Sequence, residues 1–336
     1  MNKDNLVEVE GLKTYFYTDE GVVRAVDGVD FNIKTGKTLC VVGESGCGKS
    51  ITARSIMRLI DPPGKIVEGV IRLAARDGGE IDVTALSPKG QEIRKIRGAD
   101  ISMIFQEPMS SLSPVHTVGE QIAEAIRLHL GFTKEDAKAR TVEVLKEVGI
   151  PKAEQRFDSY PFELSGGMRQ RVMIAMALSC RSRMLIADEP TTALDVTTQA
   201  NILDLIQGLQ REYNMSVMFI THDLGVVAEI ADEAVVMYLG KVVERGSVDD
   251  IFHDPKHPYL VSLLKSIPKL SAGPVERLDS IKGMVPHPFN RPKGCPFNPR
   301  CDRAIKGLCD RDIPPAINPG PGREVSCFLY GEGEKP

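Results

Sequence analysis

Residues 38–50 read Thr38-Leu39-Cys40-Val41-Val42-Gly43-Glu44-Ser45-Gly46-Cys47-Gly48-Lys49-Ser50. From Gly43 to Ser50 they fit G-x-x-x-x-G-K-[ST]. The apolar run TLCVV precedes the motif and a helical pattern, ITARSIMRLI, follows it, which is the context the motif requires. Glycines let such a loop curl so that backbone N–H groups point inward at phosphate oxygens. The next helix aims its positive end at the same point. Lys49 is placed to reach β- and γ-phosphates, and the Ser50 hydroxyl to ligate Mg²⁺. Gly43, Ser45, Gly46, Cys47, Gly48, Lys49, Ser50 and Ile51 are therefore the candidate phosphate-binding positions. A chance glycine-rich turn would not bring strand, loop and helix into register. Cys47 lies inside the loop, so a maleimide is expected to block the site and ATP to protect it.

A second element, Met184-Leu185-Ile186-Ala187-Asp188-Glu189, sets paired carboxylates at the end of an apolar run. Asp188 would hold Mg²⁺, directly or through water, and Glu189 would polarise the water that attacks the γ-phosphate. In-line phosphoryl transfer needs a metal clamp and a positioned water and little else. Short apolar runs at Thr38–Val42, Ile101–Phe105, Met184–Ala187, Ser216–Ile220 and Ala234–Tyr238 read as buried strands. Each is followed by a loop or a helical pattern, the grammar of an α/β fold with a parallel sheet. Between them Val118, Ile122, Ile126 and Leu130 recur every four residues, and Val142, Leu145 and Val148 mark another helix. These residues read as a helical subdomain, about 107–180, inserted into the α/β core.

The stretch Leu164-Ser165-Gly166-Gly167-Met168-Arg169-Gln170 lies about 20 residues before the paired acids. It resembles the signature sequence of ATP-binding cassette (ABC) proteins. The rest of that family's set follows in order. Gln106, after ISMIF, resembles the Q-loop residue; Ala193-Leu194-Asp195 resembles the D-loop; His222 in Ile220-Thr221-His222-Asp223 resembles the switch histidine. Phe16 stands where the family places an aromatic that stacks on adenine, with Tyr17 as the alternative. The resemblance covers about residues 5–265. It implies a P-loop NTPase core in which ATP is sandwiched between two subunits. One supplies Lys49, Ser50, Gln106, Asp188, Glu189 and His222, with Mg²⁺ on Ser50, Gln106 and Asp188. The other supplies Ser165 and Gly167, with Asp195 alongside. The chain carries one copy of each motif, so it must pair with itself or with a similar subunit.

Proline marks a boundary: eight of the 22 prolines fall before residue 253 and fourteen after it. Proline removes a backbone donor and fixes φ, so the tail is expected to be poor in regular structure. The reading is a nucleotide-binding domain at 1–252 and a loop-rich extension at 253–336. The extension holds Cys295, Cys301, Cys309 and Cys327, spaced C-x5-C-x7-C-x17-C, four of the seven cysteines. In a reducing compartment such a cluster points to metal before disulfide. Thiolate-only ligation fits both zinc and iron–sulfur. The run from Phe105 to Pro114, the run Glu163–Val172 and the tail from His257-Pro258-Tyr259 onward are similar to those of oligopeptide and dipeptide importer ATPases. One departure is Leu112-Ser113-Pro114, where that family usually has LNP. The resemblance implies an iron–sulfur cluster, 4Fe–4S, on the four cysteines, with zinc as the alternative. A staple for the proline-rich segment is preferred over redox sensing.

Net charge is −4 with both signs interspersed, which disfavours nucleic acid as a partner. No stretch approaches the roughly 20 apolar residues of a membrane helix. MNKDNLVEVE has no apolar signal core. The resemblance implies a peripheral subunit at the cytoplasmic face of the cell membrane. Its partners would be a second ATPase subunit, identical or not, two transmembrane permease subunits and, indirectly, an extracytoplasmic peptide-binding protein. Three alternatives remain beside the peptide importer: a related nickel importer, a soluble cassette protein and a small-molecule kinase. The single cassette without sustained heptads weighs against the second, and LSGGMRQ has no role in the third.

Overall fold

The computed structural model describes residues 1–106, 111–192, 194–267 and 281–331. Its chain divides into two compact units. The first comprises Met1–Leu6, Ile33–Thr38 and Ala74–Ile220; the second comprises Val7–Asn32, Leu39–Leu73 and Thr221–Pro336.

In the first unit, strands Ile101–Ile104, Met184–Asp188 and Ser216–Thr221 run parallel, with Met184 opposite both Ile101 and Ser216. Every residue of Met184–Asp188 and of Ser216–Thr221 is buried. Strands covered on both faces read as unbroken apolar runs, which is why the sequence exposes them so plainly. The expected runs ending at Phe105, Ala187 and Ile220 each shift by one residue at that end.

The helices of this unit begin at local caps. Thr117 accepts from the Glu120 N–H while Glu120 reaches back to Thr117, a reciprocal box that starts Val118–Leu130. Thr133, Ser165 and Asp195 cap Lys134–Glu147, Gly166–Leu178 and Val196–Tyr213 in the same way with one side chain. Val118, Ile122 and Ile126 are fully buried, so the four-residue recurrence marks a core-facing stripe, whereas Leu130, expected in it, is 40% exposed at the helix end.

In the second unit, strand Asn5–Thr18 pairs antiparallel with Gly64–Ala74, from Val7 opposite Leu73 to Phe16 opposite Gly64. Strand Gly21–Lys34 flanks the first on its other edge. This antiparallel layer was not foreseen from sequence. Strand Thr38–Val42 runs parallel to Glu233–Tyr238, which turns back antiparallel into Lys241–Ser247. The extension adds the short strand Glu324–Val325 to that last strand. After helix Pro258–Lys265, the described part of the tail carries single helical turns such as Asn298–Arg300. Three rings form its anchor: Phe297 lies 5.3 Å from both Tyr238 and Tyr259, which are 4.7 Å apart.

A buried ion pair fixes the extension. Glu244 is fully buried and accepts from Arg323 at 2.9 Å and from the N–H groups of Lys256 and His257. Burial pushes the Glu244 carboxyl up, against the pull of these donors. Arg323 also reaches Asp254 at 2.9 Å.

Candidate nucleotide site

The phosphate loop belongs to the second unit. Lys49 is buried, and its Nζ donates to the carbonyls of Gly43 and Glu44 at 2.8 and 3.2 Å. The ammonium is thus curled over the loop's own backbone, and both bonds are to neutral oxygens. Gly43 and Gly48 take φ of +152° and +101°. A Cβ on Gly43 would stand 2.2 Å from the Met237 carbonyl, and one on Gly48 would stand 2.3 Å from that of Ala25. Both are backbone contacts that cannot yield, so these two glycines are required by space as well as by φ. Gly48 caps helix Lys49–Ile56, whose N-terminal turn begins at the end of the loop.

Cys47 corrects one expectation. Its side chain is 2% exposed and burial pushes the thiol up. A thiol held neutral and covered is a poor nucleophile, so the maleimide chemistry expected from sequence has no open target.

The second unit also carries Phe16 and His222. Phe16 is half-buried near the end of its strand, and its neighbour Tyr15 donates to Asp27 at 2.7 Å. Tyr17 is 47% exposed, with the Lys65 ammonium 5.9 Å from its ring centre. His222 is exposed, between buried Thr221 and Asp223, which caps Leu224–Ile230.

The first unit carries the carboxylates. Asp188 ends its strand at 2% exposure. Glu189 follows in the left-handed region, φ +49°, with its N–H on the Ile220 carbonyl at 3.0 Å. Its Oε2 accepts from Gln106 Nε2 at 3.2 Å and from Thr192 Oγ1 at 3.0 Å. The structure therefore brings together Gln106 and Glu189, 83 positions apart, and adds Thr192, which the sequence reading missed. Its signal was a hydroxyl three residues after the acid, within reach across a turn.

Ser165 is exposed and caps Gly166–Leu178, its Oγ accepting from the Met168 N–H at 3.3 Å. Gly166 has no atom within 4 Å of its missing Cβ, and Gly167 has only Thr198 at 3.4 Å. Gln170 of the same motif is buried and donates to the Pro190 carbonyl, tying the signature helix to the turn after Glu189. Asp195 accepts from the Thr198 N–H at 3.0 Å, and these bonds hold its carboxyl below its ordinary value. Ala193 and residues 107–110 of the run after Gln106 lie outside the described residues.

In the extension Cys295 and Cys327 are buried, Cys301 and Cys309 half-buried, and all four are free thiols. Burial pushes Cys295 up to about 11, and the neighbouring Cys309, Cys327 and Cys301 add to the push. The donor chemistry suits thiolate ligation. The arrangement does not converge on an ion: among the described residues no three ligating side chains are placed to hold one. The metal expected here is thus not supported by the geometry. No described helix is long and apolar enough to cross a membrane.

Comparison with known proteins agrees with this geometry. The sequence profile of the ABC transporter family matches residues 26–192, and that of the oligopeptide/dipeptide transporter C-terminal region matches residues 243–309. The oligopeptide transport ATP-binding protein AppD of Bacillus subtilis (strain 168) is 52% identical over 97% of this chain and 97% of its own. The dipeptide transport ATP-binding protein DppD of Haemophilus influenzae is 47% identical over 96% of this chain and 94% of its own. Among solved structures, the dimeric bacterial ABC transporter cassette MJ0796 superposes with a TM-score of 0.63 at 28% identity, covering 72% of this chain and 98% of that one. The chain belongs to the ABC transporter family of ATPases and carries the C-terminal region of its oligopeptide and dipeptide transporters.

Proposed function

We propose that the chain is the ATP-hydrolysing motor of an importer of dipeptides or oligopeptides. The observation that carries this is the match of residues 243–309 to the peptide-transporter C-terminal region, joined to relatives near 50% identity along nearly the whole chain. On this reading the phosphate loop, with Lys49 and the backbone from Gly43 to Ile51, binds the triphosphate, and Phe16 stacks on adenine. Ser50, Gln106 and Asp188 would hold Mg²⁺, which would supply charge neutralisation to the phosphates. Glu189 takes the proton of the attacking water, and Gln106 and His222 orient that water and the γ-phosphate. Ser165 and Gly167, with Asp195 beside them, act on the ATP of a partner subunit. ATP closes the pair and hydrolysis opens it, because the nucleotide binds the two states unequally.

The nucleotide-binding part is residues 1–252, with the helical stretch 107–180 facing two permease subunits at the cytoplasmic membrane face, and the extension is 253–336. The finer reading of the tail is an iron–sulfur cluster on Cys295, Cys301, Cys309 and Cys327. It is supported by four free thiols within electrostatic range of one another. Iron and acid-labile sulfide, measured per chain after anaerobic purification and lost in Cys301→Ser, would bear it out; zinc alone or no metal would end it.

The test of function is uptake. Cells lacking this chain should fail to accumulate a labelled dipeptide and a labelled pentapeptide, and Lys49→Ala should not restore them. Unchanged peptide uptake with lost nickel uptake would replace the substrate while leaving the ATPase.

A further inference from the structure

The extension sends two arginines to carboxylates beside the phosphate loop, all within the second unit. Arg300 Nη1 and Nη2 donate to Glu44 Oε2 and Oε1 at 2.7 and 3.1 Å, a two-pronged pair. Arg300 is 4% exposed at its side chain, and it also donates to Tyr238 at 3.2 Å and to the Lys282 carbonyl at 3.0 Å. Arg291 donates to Asp27 at 2.8 Å. The Asp27 N–H is on the Gly240 carbonyl, and the Gly240 N–H is on that of Cys47.

Glu44 is the only acid between Gly43 and Ser50. Its N–H donates to Tyr259 at 2.9 Å, and its carbonyl receives Lys49. A carboxylate in a loop that accepts a polyphosphate opposes the incoming charge, the more so the more charge the ligand carries. A guanidinium paired two-pronged with that carboxylate cancels most of this. The guanidinium here comes from the turn Asn298–Arg300, between Cys295 and Cys301 and 256 positions along the chain.

We propose that Arg300 is a positioning residue for nucleotide binding: it holds the Glu44 carboxylate and cancels its charge, so that affinity for ATP depends on the cysteine-bearing turn being seated. This rests on the phosphate loop being the ATP site. It makes the extension a working part of that site.

The test is calorimetric titration of the full chain with ATP and with AMP. Arg300→Gln should bind ATP about tenfold more weakly and AMP with a smaller loss, because the repulsion grows with phosphate charge. Adding Glu44→Gln to Arg300→Gln should restore most of the ATP affinity, and Arg300→Lys should keep much of it. If Arg300→Gln does not fold, Glu44→Gln alone decides: it should bind ATP at least as tightly as wild type, and weaker binding overturns the proposal. Wild-type affinity in Arg300→Gln, or no rescue in the double variant, also overturns it. Lys49→Ala separates the two readings. If it binds ATP as well as wild type, the ATP site itself is misplaced; if it does not, a silent Arg300 sinks the inference alone.

Discussion

Gln106 donates through Nε2 to Glu189 Oε2 at 3.2 Å, joining the end of one buried strand to the acid that follows another. Thr192 donates to the same oxygen. Glu189→Gln keeps the shape and loses the carboxylate proposed to take the water's proton. Phosphate release should fall about 10²–10⁴-fold while ATP binding persists. Unchanged turnover in Glu189→Gln would remove this acid from the reaction.

Arg323 and Glu244 form the buried pair under the extension. Arg323→Ala should destabilise the fold by about 3–5 kcal/mol in urea unfolding, because it leaves a fully buried carboxylate without its cation. Replacing both by apolar residues of similar volume, Glu244→Leu with Arg323→Met, should recover most of that loss. A loss in the double variant as large as in the single would mean that Arg323 acts through its other partners.

His257 gives an acid-side slope. It is 1% exposed, and burial pulls its imidazole down to about 3 from 6.5. The unfolded chain therefore binds a proton that the folded chain refuses. This stability is fully present above about pH 6.5 and falls by about 1.4 kcal/mol per unit as pH drops toward 3. Glu244, pushed up, titrates with the opposite sign, so the comparison is wild type against His257→Asn. The variant should show a flatter profile between pH 6.5 and 5; parallel profiles would show that the imidazole charges freely in the fold.

Cys47 should react with a maleimide only in the unfolded chain, as its burial and raised pKa require. Mass spectrometry of the native protein after brief labelling should find Cys47 unmodified with or without ATP. Fast labelling that ATP slows would restore the reading made from sequence.

The legible parts of this molecule are those written locally. The phosphate loop is eight consecutive residues, and the strand Thr38–Val42 matches its apolar run because all five residues are buried. The helix Val118–Leu130 carries its start, stripe and Gly131 stop within its own sequence. The antiparallel layer was hidden because strand Asn5–Thr18 alternates imperfectly. Its pairing with Gly64–Ala74 shifts register between Glu10 and Lys13, and such irregularities erase the period of two. Arg300 on Glu44 was out of reach for another reason. Nothing near either residue encodes a partner 256 positions away. Thr192 on Glu189 shows the intermediate case, a local bond that a motif reading passes over because the motif ends at the acid.

Glu189 takes the φ of +49° that ordinarily belongs to glycine or asparagine. A side chain with a Cβ gives up about 1–2 kcal/mol to sit there. Robustness and turnover therefore pull this position in different directions. Among all substitutions at 189, ranking by melting temperature should favour glycine and asparagine, whereas ranking by ATP turnover should leave glutamate alone at the top. On the function proposed above, the strength of the native fold and the working of its reaction compete at a single backbone angle.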